Sequence, residues 1–149
     1  MIVILKSTLR KELFLFQSLT KCSFFSGSNK ITSRAKEVLG KVAKIINDKP
    51  EFEFMVEGHT DDRPISNDSF EDNWDLSVNR ATSIVRVLQK EFGVAPERMI
   101  AAGRSSYMPI DDNESASGRA NNRRIRIVLL PKLDQFYSLL DEAMAATTE

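Results

Sequence analysis

Hydrophobic and polar positions along this chain fall into blocks of different period. From Ile31, the residues Ile31, Ala35, Val38, Leu39, Val42, Ile45 and Ile46 recur at three- and four-residue spacing, which predicts an amphipathic helix. Thr32 or Ser33 can cap its start, and Asn47, Asp48 and Pro50 stop it. Residues 51–57 alternate strictly, so a strand is expected with Phe52, Phe54 and Val56 on one face and the glutamates on the other. Gly58-His59-Thr60-Asp61-Asp62 closes it, and a polar loop runs to about Asp72. A second helix begins near Asn73 or Asp75, carries Leu76, Ala81, Ile84, Val85, Leu88 and Phe92 on one stripe, and ends at Gly93. Met99–Gly103 reads as a short strand, and residues 111–122 as polar loop with room for a helical turn. Residues 124–130 form the last strand, with Ile125, Ile127 and Leu129 on one face and Arg124 and Arg126 on the exposed face. After Pro131, the positions Leu133, Phe136, Tyr137, Leu140 and Met144 predict a final amphipathic helix, expected on its own domain in preference to a partner. Residues 1–22 show no clean period; Phe24 and Phe25 can close a strand before the turn at Ser26-Gly27-Ser28-Asn29. The alternation predicts an α/β (α+β) two-layer sandwich: a mixed βαβαββ sheet with helices on one face.

Composition narrows the function classes. The 149 residues suit one domain, with 42% hydrophobic and 28% charged residues as in soluble globular proteins. The 21 basic and 21 acidic residues cancel, so no net field favours nucleic acid. A single cysteine, Cys22, excludes an internal disulfide, and a single histidine, His59, excludes sites built from several histidines. The N-terminal apolar runs are broken by Lys6, Arg10, Lys11 and Glu12, too short for a membrane span or a signal sequence. Any targeting part is therefore expected outside this chain, unless the protein is cytoplasmic.

One residue disturbs the pattern. Counting ~100° per residue from Leu76, Arg80 falls at ~40°, inside the apolar stripe and between Leu76 and Ile84. A guanidinium there keeps its charge and needs a carboxylate or carbonyl partner. Asp61 and Asp62, just beyond the carboxyl end of the preceding strand, are the nearest candidates, since such strand ends commonly open onto a site beside the next helix. Two readings stand side by side. One is a structural ion pair that fixes the loop. The other is a site for a zwitterion, with Asp61 on an ammonium and Arg80 holding a carboxylate as a bidentate fork.

Five separate stretches agree in order and spacing with a known family. They are Phe25-Ser26-Gly27-Ser28, Val56-Glu57-Gly58-His59-Thr60-Asp61, Asn73-Trp74-Asp75-Leu76-Ser77-Val78-Asn79-Arg80-Ala81, Ala102-Gly103-Arg104-Ser105, and Gly118-Arg119-Ala120-Asn121-Asn122-Arg123-Arg124-Ile125. Together they resemble the OmpA-like peptidoglycan-binding domain, over roughly residues 23–130. The Asn-Trp-Asp-Leu-Ser form, with Asp61-Asp62-Arg63-Pro64-Ile65 before it, looks most like the flagellar motor protein B branch. The resemblance implies a non-enzymatic domain that anchors an envelope protein to the cell wall through the diaminopimelate of the peptide stem. It implies that Asp61 and Arg80 bind that residue, with Thr60, Asn73 and Arg123 lining the same pocket, and that no cofactor is needed. It also implies a periplasmic, outer-membrane-associated placement, any membrane attachment coming from a segment absent from this chain. The expected division is an N-terminal segment of unassigned role (1–22), the domain (23–131) and a C-terminal helix (132–149). Residues Thr20–Phe25 stand where the family's first strand would be. A homodimer is left open, as is an alternative in which the domain pairs with a protein through its last strand or terminal helix and does not bind the wall.

The other signals are weaker. His59 beside Asp61 and Asp62 has no second histidine for a metal site and is expected to be a hydrogen-bonding loop residue. Asp111-Asp112-Asn113-Glu114-Ser115 opens like a calcium loop but lacks the glycine and the closing glutamate, so a solvated loop is expected. Arg119, Arg123, Arg124 and Arg126 cluster without interleaved aromatics, which argues against nucleic acid. No second carboxylate stands out as a partner for Asp61 in glycan hydrolysis. Trp74, at a helix entrance, is expected as a hydrophobic staple or core plug, with a cleft wall as its alternative.

Overall fold

A computed structural model describes residues 27–130 and 133–146. Helix α1 (Ser33–Asn47) starts where the Thr32 hydroxyl accepts the Ala35 N–H at 3.2 Å. Strand β1 (Glu53–Gly58) follows, then helix α2 (Asn73–Lys90), a 3-10 turn at Pro96–Arg98 and strand β2 (Met99–Gly103). A short helix α3 (Ala116–Asn122), strand β3 (Ile125–Leu130) and helix α4 (Leu133–Ala145) complete the described chain. The sheet order is β2-β1-β3, with β1 parallel to β2 and antiparallel to β3. The sheet is therefore mixed, and the expected fold class holds. The strand expected near Phe24-Phe25 lies outside the described residues.

One hydrophobic core joins α1, α2 and one face of the sheet. Leu39 and Val42 from α1, Ala81, Ile84 and Leu88 from α2, and Phe54, Val56, Ile125 and Ile127 from the strands are all buried in it. Each of the larger side chains contributes about 1.5–3 kcal/mol, which is why the three-and-four spacing of the helices and the two-residue spacing of the strands determine which faces meet. Gly93 adopts φ +65, and Val94 N–H reaches back to Leu88 O at 3.0 Å, closing α2 as its position predicted. The cap at the other end is Asp72, whose carboxylate accepts the Asp75 N–H, one residue before the expected start.

Three expectations about exposure fail. Glu57 lies on the opposite side of β1 from the core, yet it is buried: His59 Nε2 (2.8 Å), Arg104 Nε (3.0 Å) and Arg126 Nη1 (3.9 Å) surround it. Arg124 is buried too, because its guanidinium reaches back to Met108 O at 2.9 Å and tethers the loop before α3. Trp74 is neither staple nor plug; it is half exposed and packs on Tyr107. Residues 111–115 form a largely exposed loop, as expected, and the helical turn allowed for in 111–122 is α3. The buried Asn122 amide accepts the Ile110 and Asp111 N–H groups and donates to Asp111 O and Asn113 Oδ1, while Asp112 bonds Ser115 at the start of α3. On α4, Tyr137, Leu140 and Met144 are exposed.

Candidate functional site

The cleft forms where the carboxyl end of β1 meets the first turns of α2. Gly27, Thr60, Asp61, Arg63, Pro64, Ile65, Asn73, Leu76, Arg80 and Arg123 enclose about 170 Å³. All five residues singled out from the sequence, Thr60, Asp61, Asn73, Arg80 and Arg123, line it. They come from three places: the loop after β1, two successive turns of one α2 face, and the residue after α3.

Arg80 is fully buried, as its place in the apolar stripe required. Its Nε donates to Ser28 O at 2.9 Å and its Nη1 to His59 O at 3.3 Å. Burial pulls the guanidinium down to about 10, with the Asp61 charge opposing the fall and Arg123 adding to it. It remains a cation at neutral pH. Asp61 is buried and accepts from Arg123 Nη1 at 2.8 Å and from the Arg63 N–H at 3.1 Å. Its neighbour Asp62 is exposed, so the chain turns only one of the two carboxylates inward. The ion pair anticipated between Asp61 and Arg80 is instead formed by Asp61 with Arg123, a partner 62 positions away, while Arg80 bonds to the Ser28 and His59 carbonyls.

Backbone bonds hold the loop that carries Asp61. Thr60 N–H donates to Ser105 O at 3.0 Å, and Thr60 Oγ1 to Asp61 O at 2.8 Å. Ser105 sits in the left-handed region at φ 52, and its N–H is held by Ser77 Oγ at 3.1 Å. That hydroxyl in turn donates to Trp74 O at 2.9 Å. Asn73 Nδ2 ties α2 to Arg63 O at 3.0 Å. The first turn of α2, the end of β2 and the Thr60–Asp61 loop are therefore one hydrogen-bonded assembly. Non-glycine residues at positive φ cluster at functional sites because only a well-determined surround sustains the strain. Sequence reading missed Ser77, Ser105 and the Ser28 carbonyl; the unusual φ and the backbone contacts exist only in three dimensions.

Among the described residues, two polar atoms of the cleft residues are buried without a hydrogen-bond partner: Asn73 Oδ1, an acceptor, and Arg123 Nε, a donor. His59 Nδ1 is a third such atom, behind the cleft. Burial, then the Arg124 charge, hold the His59 imidazole below its usual 6.5, against the bond from Glu57. For Glu57, burial acts upward, but the bonds from Arg104 and His59 outweigh it and lower the carboxyl. His59 is accordingly a buried hydrogen-bonding residue of the loop.

The OmpA family model matches residues 23–123. The chain belongs to the OmpA family. It is similar to motility protein B of Bacillus subtilis, 35% identical over 114 residues that make up 75% of this chain and 44% of that protein. This OmpA-family chain thus spans less than half the length of that relative. Its fold is similar to the C-terminal domain of MotB from Helicobacter pylori, at TM-score 0.70 and 29% identity, covering 82% of this chain and 96% of that one. The cell wall anchor of the T6SS from Pseudomonas aeruginosa is also similar, at TM-score 0.64 and 34% identity, over 74% and 76% of the two chains. The resemblance to the motor protein B branch, first seen in the Asn73–Ser77 stretch, is matched by both the sequence and the fold of these relatives.

Proposed function

We propose that this domain anchors an envelope protein to peptidoglycan, on the periplasmic side, by holding the zwitterionic diaminopimelate head of the peptide stem in the cleft. The supporting observation is the juxtaposition itself: one buried carboxylate, Asp61, and two guanidinium groups, Arg80 and Arg123, in a cleft of amino-acid size. An ammonium group needs a fixed anion and acceptors; Asp61 and Asn73 Oδ1 supply them. A carboxylate needs cations and donors; Arg80 and the partnerless Arg123 Nε supply those. In this reading the ammonium takes over the Asp61 oxygen that Arg123 now occupies, and Arg123 turns its fork to the ligand carboxylate. Thr60 shapes the loop through its own two hydrogen bonds. Binding is by charge complementarity alone, with no bond made or broken. The T6SS relative, described as a cell wall anchor, supports the same role by kinship.

The test is co-sedimentation with purified sacculi, alongside calorimetry with a diaminopimelate-containing stem peptide. A hydrogen bond to a charged group contributes about 1.5–3 kcal/mol, so Asp61→Asn and Arg123→Gln should each weaken binding about 10- to 100-fold. No soluble muropeptide should appear in the supernatant. Folded variants that sediment like the wild type would overturn the reading, as would release of soluble wall fragments.

A further inference from the structure

Beside the cleft lies a feature that peptide binding does not use. Trp74 and Tyr107 are 50% and 71% exposed, with ring centroids 5.5 Å apart and planes tilted by 40°. Val78, one turn after Trp74 and 41% exposed, packs against Gly103, where an added Cβ would lie 2.6 Å from its Cγ2. The rings are set on firm ground. Trp74 O accepts Ser77 Oγ, that hydroxyl accepts the Ser105 N–H, and Tyr107 N–H donates to Arg104 O. The same Ser105 offers its carbonyl to Thr60, in the cleft loop. Tyr and Trp are enriched at contact surfaces. Trp and Tyr suit a ligand that is apolar on one face and hydroxylated at its edge, because each carries a polar handle on a flat apolar body.

The geometry relates this surface to the cleft. Asn73, Leu76 and Arg80 lie on one flank of α2, whereas Trp74 and Val78 lie about 100° or more round the helix, on the other flank of the same first turns. A helix with its side chains is about 10–12 Å across. Three extended residues of peptide span about 10 Å. A stem whose third residue occupies the cleft and whose sugar end leaves across the N-terminal end of α2 would be long enough to set that sugar on the two rings. We infer that Trp74 and Tyr107 form a stacking platform for the amino sugar that bears the peptide stem, so that the domain grips sugar and peptide together. This inference rests on the cleft reading above.

The experiment exploits Trp74 as the only tryptophan of the chain. The full chain is titrated with a disaccharide carrying the stem and, separately, with the same stem lacking sugar; tryptophan emission and calorimetric affinity are recorded. The sugar-bearing ligand should change Trp74 emission and bind about 5- to 10-fold more tightly than the free stem. Trp74→Leu and Tyr107→Ala should abolish that advantage and leave the affinity for the free stem unchanged; both residues are exposed, so the fold tolerates the changes. Equal affinity for the two ligands, or a sugar advantage that survives both substitutions, overturns the platform while leaving the cleft reading intact. Ring-dependent binding of the sugar-bearing ligand with no binding of the free stem supports the platform and overturns the cleft reading. Binding of neither overturns both.

Discussion

An alanine at position 58 tests whether the close seating of α2 on the sheet builds the cleft. Gly58 ends β1, paired with Gly103 on one side and Ile125 on the other. A Cβ there would lie 2.0 Å from Ser77 O and 2.9 Å from Ser77 C. Both atoms are backbone, so no rotamer change relieves the overlap, and the gap must open from 2.0 Å to at least 3.4 Å. Opening it pushes α2 off β1, and α2 carries Asn73, Leu76 and Arg80 away from Asp61. Overpacking a core costs about 1–3 kcal/mol where side chains can shift, and a collision with helix backbone belongs at or above the top of that range. Gly93→Ala is the control. Nothing lies within 4 Å of its Cβ, but its φ of +65 charges the backbone alone, at roughly 1–2 kcal/mol. Urea unfolding separates the two. With an m-value of about 1–3 kcal/mol/M, Gly58→Ala should lower the midpoint by about 1–3 M and Gly93→Ala by clearly less. Stem-peptide affinity should fall for Gly58→Ala only. A Gly58→Ala protein with a wild-type midpoint, or a Gly93→Ala protein that loses more stability, refutes the packing argument.

Two further outcomes are expected. Because His59 titrates below its usual 6.5 in the folded chain, its neutral form stabilises the fold above that value, and the contribution is lost as pH falls below 6.5. Glu57, lowered from 4.5, adds stability above 4.5 that is lost as pH falls further. Unfolding free energy measured against pH should therefore decline in two stages on acidification, and His59→Gln should flatten the stage just below pH 6.5; an unchanged slope in that variant rules out the assignment. Asn122→Ala removes four hydrogen bonds, leaving two donors (the Ile110 and Asp111 N–H groups) and two acceptors (Asp111 O and Asn113 Oδ1) of the loop before α3 without that partner. It should cost about 2–3 kcal/mol in a thermal melt, with Asn122→Asp, which keeps the acceptor, in between; equal melting of all three proteins contradicts the structural role.

Much of the fold was legible because helix and strand periods are local properties. The apolar stripes of α1 and α2 and the alternation of β1 and β3 each need only a few neighbouring residues to be read, and burial of those faces decides the layering. Arg80 was legible for the same reason: a permanent cation inside a buried stripe announces a polar partner. Partners far along the chain were not legible that way. That the Ser28 and His59 carbonyls receive Arg80, and that Arg123 reaches Asp61, depends on loops whose paths carry no period.

Exposure misled where alternation was taken to mean solvent. Glu57 points away from the core, but His59 from the loop after β1, Arg104 just beyond β2 and Arg126 from β3 close over it. Arg124 stands at a strand's outward position, yet a carbonyl of the preceding loop draws it in. Trp74 lies on the flank of α2 beside the apolar stripe, and only the position of Tyr107 shows that the helix leaves this side uncovered. The amino-acid order determined which faces are apolar, where each element ends and that a charge had to be answered inside α2, because those follow from short-range periodicity and the cost of burying polar groups. The tertiary structure alone decided which distant groups answer it and which outward faces are covered, because both depend on contacts between segments that no local pattern encodes.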